Sequence, residues 1–214
     1  MFPLIEDFDA TSLDSLEPVF NELLSRDVKS VGDLEAFFSD ISDMAEHISE
    51  AGARLYIGMT CDTENELKQT NFLNFVENIR PRMSEVSNKL DLKILSLDFL
   101  DRLSDRYTLI LRSMRNSIEI FREENIPLSV ECTKLSTEYQ KIIGAMTVNF
   151  EGMEYTLPQM RRFLESNDRE TRRLAWTSVR ERRMKDSSRI SEILDELIDK
   201  RNKIAQNAGF NNYV

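Results

Sequence analysis

The chain is poor in the residues from which most catalytic centres are built. It holds one histidine, His47, two cysteines, Cys61 and Cys132, and one tryptophan, Trp176, in 214 residues. A catalytic zinc site commonly takes two histidines and a carboxylate, so a lone histidine argues against a self-contained zinc site. A Ser-His-Asp triad would have to use the same His47, and no G-x-S-x-G elbow supports one. Neither G-x-x-x-x-G-K-[ST] nor G-x-G-x-x-G occurs, so nucleotide binding has no motif here. Cys61 and Cys132 fit no CxxC or zinc-ribbon spacing and read as small hydrophobes in a reducing compartment. The first residues, Met1-Phe2-Pro3-Leu4-Ile5-Glu6-Asp7, lack the basic and apolar regions of a secretory signal. No apolar run approaches the roughly 20 residues needed to span a bilayer. The expected location is the cytoplasm, with no membrane association.

Glycine and proline are also scarce, at six and five residues, while helix formers are plentiful. The charge is lopsided: 28 bases stand against 38 acids, a net of −10. That excess argues against a nucleic-acid partner and against anionic membranes. Residues 1–66 carry 16 acids and three bases, a net of −13, whereas residues 161–185 carry nine bases and four acids, a net of +5. The basic stretch reads as a solvated helix face, or as a docking surface for the acidic half or for anionic groups of a substrate.

Apolar spacing predicts helices along most of the chain. Leu16, Val19, Phe20, Leu23 and Leu24 step by three and four, with Asp14 as the expected cap. Leu34, Phe37, Phe38, Ile41, Met44, Ala45 and Ile48 repeat the pattern behind Ser30 and Asp33, a weak capping box. Thr63 and Glu66 form a T-x-x-E box before Leu67, Phe72, Phe75, Val76, Ile79, Met83, Val86 and Leu90. Pro81 should kink that helix. Phe99, Leu103, Tyr107, Ile110, Met114, Ile118 and Phe121 mark one long helix ending near Ile126-Pro127. Ser129 is then expected to open a helix that closes at Gly144.

From Ala145 the period changes to two. Met146, Val148 and Phe150, then Tyr155 and Leu157, flank a Glu151-Gly152 turn and predict a short β-hairpin. Thr156 and Gln159 form a capping box, and Asn167-Asp168-Arg169-Glu170 caps the last helix, which runs to Asn207 either unbroken or with a break around Asp186-Ser187-Ser188. The expected fold class is therefore mainly α, antiparallel helical hairpins packed as a bundle, with one short β-hairpin near 145–157. The expected domains are 1–125, a helical subdomain, and 126–214, carrying the hairpin and the long helices.

Few residues suggest chemistry. His47 and Glu50 lie one turn apart, but in the reverse order of the E-x-x-H of carboxylate-bridged metal sites. Tyr155, Phe163 and Trp176 read as packing residues. Arg172, Arg173, Arg180, Arg182 and Arg183 could fork onto a peptide carboxylate, or pair within the bundle. From chemistry alone the chain offers no catalytic residue and no metal ligand.

Three runs taken together carry a resemblance. They are Met146-Thr147-Val148-Asn149-Phe150-Glu151-Gly152-Met153-Glu154-Tyr155-Thr156-Leu157-Pro158-Gln159-Met160, then Asn167-Asp168-Arg169-Glu170-Thr171-Arg172-Arg173-Leu174-Ala175-Trp176, then Arg201-Asn202-Lys203-Ile204-Ala205-Gln206-Asn207-Ala208-Gly209-Phe210-Asn211-Asn212-Tyr213. With Ala51-Gly52-Ala53-Arg54-Leu55-Tyr56, they resemble the N-terminal part of oligoendopeptidase F, among the thimet-type (M3) zinc metallopeptidases. The resemblance implies two lobes around a channel, in which short peptides are cut by a zinc-activated water. The H-E-x-x-H helix and the further glutamate that such an enzyme uses are not in this sequence. No residue here inherits a catalytic or zinc role, and the zinc and the catalytic region belong to the longer parent. The expectation is an inactive channel-forming lobe whose partners are that catalytic region and short peptides. Arg180, Arg182 and Arg183 are its candidate substrate-channel residues. Dimers through exposed apolar surface are a further expectation. The competing reading is a stand-alone helical interaction module without catalysis.

Overall fold

A computed structural model describes residues 8–213, so Met1–Asp7, read above for a signal, and Val214 lie outside the described residues. The fold class is as expected: helices joined by short connections, and a two-stranded antiparallel hairpin. The chain divides into two compact units. One runs to Val130 and resumes at Asn202, and the other is Glu131–Arg201.

The first unit begins with α1 (Leu13–Ser25) and α2 (Val31–Thr60). Helix α2 starts where the sequence says it should. Ser30 Oγ accepts the Asp33 amide at 3.2 Å, and the Asp33 carboxylate answers to the Lys29 amide. Helix α1 departs from expectation, because Ser12 is its N-cap position and Asp14 lies inside the first turn, where its charge complements the helix dipole. Helix α3 (Glu66–Asn74) is capped by Asn65, whose side chain accepts the Lys68 amide at 3.1 Å; Thr63 is not the cap. Asparagine serves because its short carbonyl reaches back to the N3 amide.

Pro81 acts one turn earlier than a simple kink. Phe75–Ile79 is a π-helical turn that runs directly into α4 (Arg80–Leu95), with Pro81 in the first turn of α4. The wider turn absorbs the bond that proline cannot donate. The long helix expected across 99–121 is split. Two 3-10 turns, Leu100–Arg102 and Asp105–Tyr107, precede α5 (Thr108–Ile120). Helix α6 (Asn125–Gly144) then starts four residues before Ser129. Ile126 and Pro127 sit in its first turn, where a missing N–H costs nothing.

The apolar stripes of α1, α2, α4 and α5 meet in one core, centred on Leu16, Phe20, Leu23, Leu34, Phe37 and Met44. Its rim is tied by Arg82, which forks onto Glu17 of α1 through Nε and Nη2 at 2.5 and 2.9 Å. Asp91 of α4 is half-buried, and burial pushes its carboxyl up to about 6 from 3.8. Folding therefore disfavours its charged form above that pH, a cost relieved as pH falls through about 6 toward 3.8. Asp91→Asn is expected to stabilise the chain by about 1 kcal/mol near neutral pH, a figure discounted for the group's exposure. Denaturant melts at pH 7.5 and pH 4 check this: the gain should vanish at the lower pH, and a gain equal at both would refute it.

In the second unit, β1 (Thr147–Phe150) pairs with β2 (Met153–Thr156), with Val148 opposite Tyr155. Glu151 and Gly152 make the turn at φ 51° and 82°, the type I′ signature. Thr156 and Gln159 bond reciprocally, as a capping box should, ahead of α7 (Arg161–Leu164). Val148, Phe150, Tyr155 and Met160 pack with Ala175 of α8 (Arg169–Lys185). Asp168 caps α8 by accepting the Thr171 amide at 2.8 Å. The break falls at Asp186, and α9 (Ser187–Asn207) follows. Leu135 of α6 packs on Ile193 and Leu197 of α9, and Arg189 gathers Glu138, Glu192 and Glu196 beside them.

Candidate functional site

Among the described residues no group of three or more His, Cys, Asp or Glu side chains could hold a metal ion. His47 Nδ1 lies 2.7 Å from the Asp43 carbonyl and its ring rests by Phe8, at 5.7 Å between centroids. Glu50 is taken by Arg54, at 2.6 and 2.8 Å, so His47 and Glu50 do not act together. Cys61 is exposed and Cys132 half-buried, and both are free thiols. Burial pushes the Cys132 thiol up from its ordinary value, which makes it a poor nucleophile. The zinc expected of the longer parent therefore finds no fitting set of side chains among the described residues.

The three candidate channel arginines all lie on α8 but do not share one face. Arg180 and Arg183 are exposed and one turn apart. The Arg180 guanidinium sits 5.2 Å from the Trp176 ring centroid. Trp176 is 55% exposed, so it is no core residue, unlike Tyr155 and Phe163, which pack edge-on at 5.2 Å. Arg182 points elsewhere and is paired with Asp186. Arg173 holds Glu170, and Arg172 donates to the Ser166 carbonyl at 2.5 Å. A shallow hollow of about 410 Å³ opens at the start of this helix, between Leu164, Arg169, Arg172, Arg173 and Trp176. The free cations of the basic stretch are thus fewer than its charge suggests.

The C-terminal run closes α9 with a Schellman motif. Phe210 N–H donates to the Ala205 carbonyl at 2.9 Å and Gly209 N–H to Gln206 at 3.0 Å. Gly209 has φ 92°, where a Cβ would clash with its own backbone. The turn is held from the other side by Asn125, whose amide donates to the Ile204 carbonyl at 3.0 Å.

One feature has no forerunner in the periodicity. A groove of about 540 Å³ lies between α2 and α4, floored by Ile48, Phe75 and Met83. Gly52 makes it possible for Phe75 to lie there. A Cβ on residue 52 would stand 2.7 Å from the Phe75 ring. Small side chains, Ala45, Ser49, Ala53, Ser84 and Ser87, line its walls, and Tyr56 and Arg80 complete it. Arg80 lies over the rings of Phe72 and Phe75, 5.8 and 5.9 Å from their centroids. The only sequence signal was the irregularity at Pro81, which marks the π-helical turn that sets Phe75 and Arg80.

Comparison with known proteins places this architecture. No curated protein matches the chain. Three solved structures share its fold at a TM-score of 0.88. One is assigned as an oligoendopeptidase F (24% identity; 98% of this chain, 37% of that one) and one is PZ peptidase A with an inhibitor (24%; 99% and 38%). The third is assigned as an oligoendopeptidase F from Bacillus anthracis (21%; 97% and 39%). The chain therefore spans less than two-fifths of the length of these proteins. The family model described as the peptidase M3 N-terminal domain matches residues 6–121, more than half of the 214, and the chain belongs to that family.

Proposed function

We propose that this chain is the N-terminal, channel-forming lobe of a zinc-dependent oligoendopeptidase that hydrolyses short peptides. The observation that carries the reading is the likeness over nearly the whole chain to peptidases more than twice as long, together with the family match. In this reading the zinc and its ligands belong to a C-terminal catalytic region, and the chain alone does not hydrolyse peptides. Its contribution is steric: packed helices wall the channel and keep folded proteins from the metal. Free Cys61 and Cys132 fit action in the cytoplasm.

The test begins with the gene. Its reading frame should continue from this sequence into an H-E-x-x-H segment, and the longer protein should cleave short peptides with loss of activity on chelation. Stoichiometric zinc and hydrolysis by the 214-residue chain alone would overturn the assignment.

Within that reading, Arg180, Arg182 and Arg183 orient acidic or C-terminal carboxylate groups of peptides. Arg180 and Arg183, exposed on one face, are the stronger pair, since Arg182 is occupied by Asp186. Changing all three to alanine in the longer protein is expected to raise KM for acidic peptides about tenfold and to spare neutral ones. Unchanged kinetics on both would remove these residues from the channel. Exposed Trp176, Met184, Leu194 and Ile198 suit burial against the catalytic region, or, in its absence, a second copy. Sedimentation of the chain alone should then show dimers that the longer protein lacks; dimers in both would favour a stand-alone interaction module.

A further inference from the structure

We infer that the α2–α4 groove is a subsite for the C-terminal end of a short peptide, with Arg80 receiving the carboxylate and the floor receiving an apolar side chain. The inference deepens the peptidase reading and rests on it for the class of ligand. Its volume, about 540 Å³, is that of a small-ligand site and suits about two residues rather than a helix. The lining is neutral except for Arg80, so the groove offers one positive charge over an apolar floor.

That charge is unspent. Four arginines of the same unit, Arg26, Arg54, Arg82 and Arg106, each hold a carboxylate. Among the described residues Arg80 instead rests on two aromatic rings, in a chain of net charge −10. Stacking positions the guanidinium and leaves its N–H fork open, the arrangement that takes a carboxylate bidentately. Ser84 and Ser87, along the same wall, offer hydroxyls to peptide amides or carbonyls. The floor exists only because Gly52 admits Phe75, and the π-helical turn sets Phe75 and Arg80 within one stretch of five to six residues. Such turns occur frequently at functional sites.

The probe is a fluorescein-labelled tetrapeptide ending in leucine, made with a free C-terminal carboxylate and as the C-terminal amide. Anisotropy titrations use the 214-residue chain. The carboxylate form should bind at least about tenfold more tightly than the amide, the factor expected for one charge-assisted fork. Arg80→Gln should abolish that preference, and Ser84→Phe, which fills the groove, should remove binding of both forms. The Arg106→Gln variant, which loses the Glu35 pair, should bind as the parent does. Unaltered helical circular dichroism confirms that the exposed replacements fold. Equal binding of acid and amide, no binding of either, or a preference lost in Arg106→Gln rather than in Arg80→Gln would each overturn the subsite. Failure of the peptidase reading looks different: a frame without H-E-x-x-H beside intact, Arg80-dependent binding makes this a peptide-binding module.

Discussion

Phe37→Ala is expected to cost about 4 kcal/mol, the largest single loss in the chain. Phe37 is fully buried at the junction of α1, α2 and α4. Truncation removes a ring's worth of apolar transfer energy and leaves a cavity that rigid helices on three sides cannot close. It also removes the face that two cations share, with Arg26 at 5.4 Å and Lys93 at 5.2 Å from the ring centroid. Each such contact adds about 0.5–1 kcal/mol. Phe37→Leu should cost roughly 1.5 kcal/mol, because volume is nearly kept while the cations lose their partner. Urea unfolding measures both. A loss under about 1.5 kcal/mol for the alanine variant would show that this junction can collapse, contrary to the packing described.

Lys93→Met is the second. The Lys93 ammonium donates to the carbonyls of Leu23 (3.1 Å), Leu24 (3.0 Å) and Arg26. These are at the C-terminal end of α1, where carbonyls lack helical partners and the dipole is negative. No basic residue of α1 lies in its own last turn, so the capping cation comes from α4. Burial, then repulsion from Arg26, pulls the lysine below its ordinary pKa, so part of the gain is offset. The net expectation is a loss of about 2 kcal/mol rather than the sum of three charged hydrogen bonds. Methionine keeps the stem's packing and isolates the loss of the ammonium. Because Phe37 lies between, the two substitutions should be non-additive by more than about 0.5 kcal/mol in a double-mutant cycle. Strict additivity would mean that the ring and the ammonium act independently.

The parts of this fold that could be read in advance are those decided within a turn of chain. Ser30 and Asp168 cap helices through amides three residues on, and Thr156 and Gln159 bond reciprocally across the turn before α7. The Glu151-Gly152 hairpin needs only its own turn residues, and Gly209 only the last turn of α9. Where two local signals compete, the reading fails. Thr63 and Asn65 both precede α3, and the cap goes to the residue whose carbonyl meets an N3 amide. The apolar period across 99–121 does not reveal the two 3-10 turns, because i, i+3 spacing fits them as well as it fits an α-helix.

The candidate sites show the same division. Sequence singled out Arg180, Arg182 and Arg183 from composition, and the structure separates Arg182, paired with Asp186, from the other two. Arg80 carried no signal beyond the irregularity at its neighbour Pro81. What distinguishes it is the presence of Phe72 and Phe75 beneath a guanidinium that pairs with no carboxylate among the described residues. By itself, the sequence determined the helical class, the hairpin, the caps before α2 and α8 and the likeness to an M3 peptidase lobe, since propensity, period and short motifs are local. The tertiary structure alone decided which arginines are free and where Lys93 spends its charge. It also decided that Gly52 opens a groove over Phe75. Pairing and cavity volume depend on side chains brought together from distant positions, and no spacing along one helix records them.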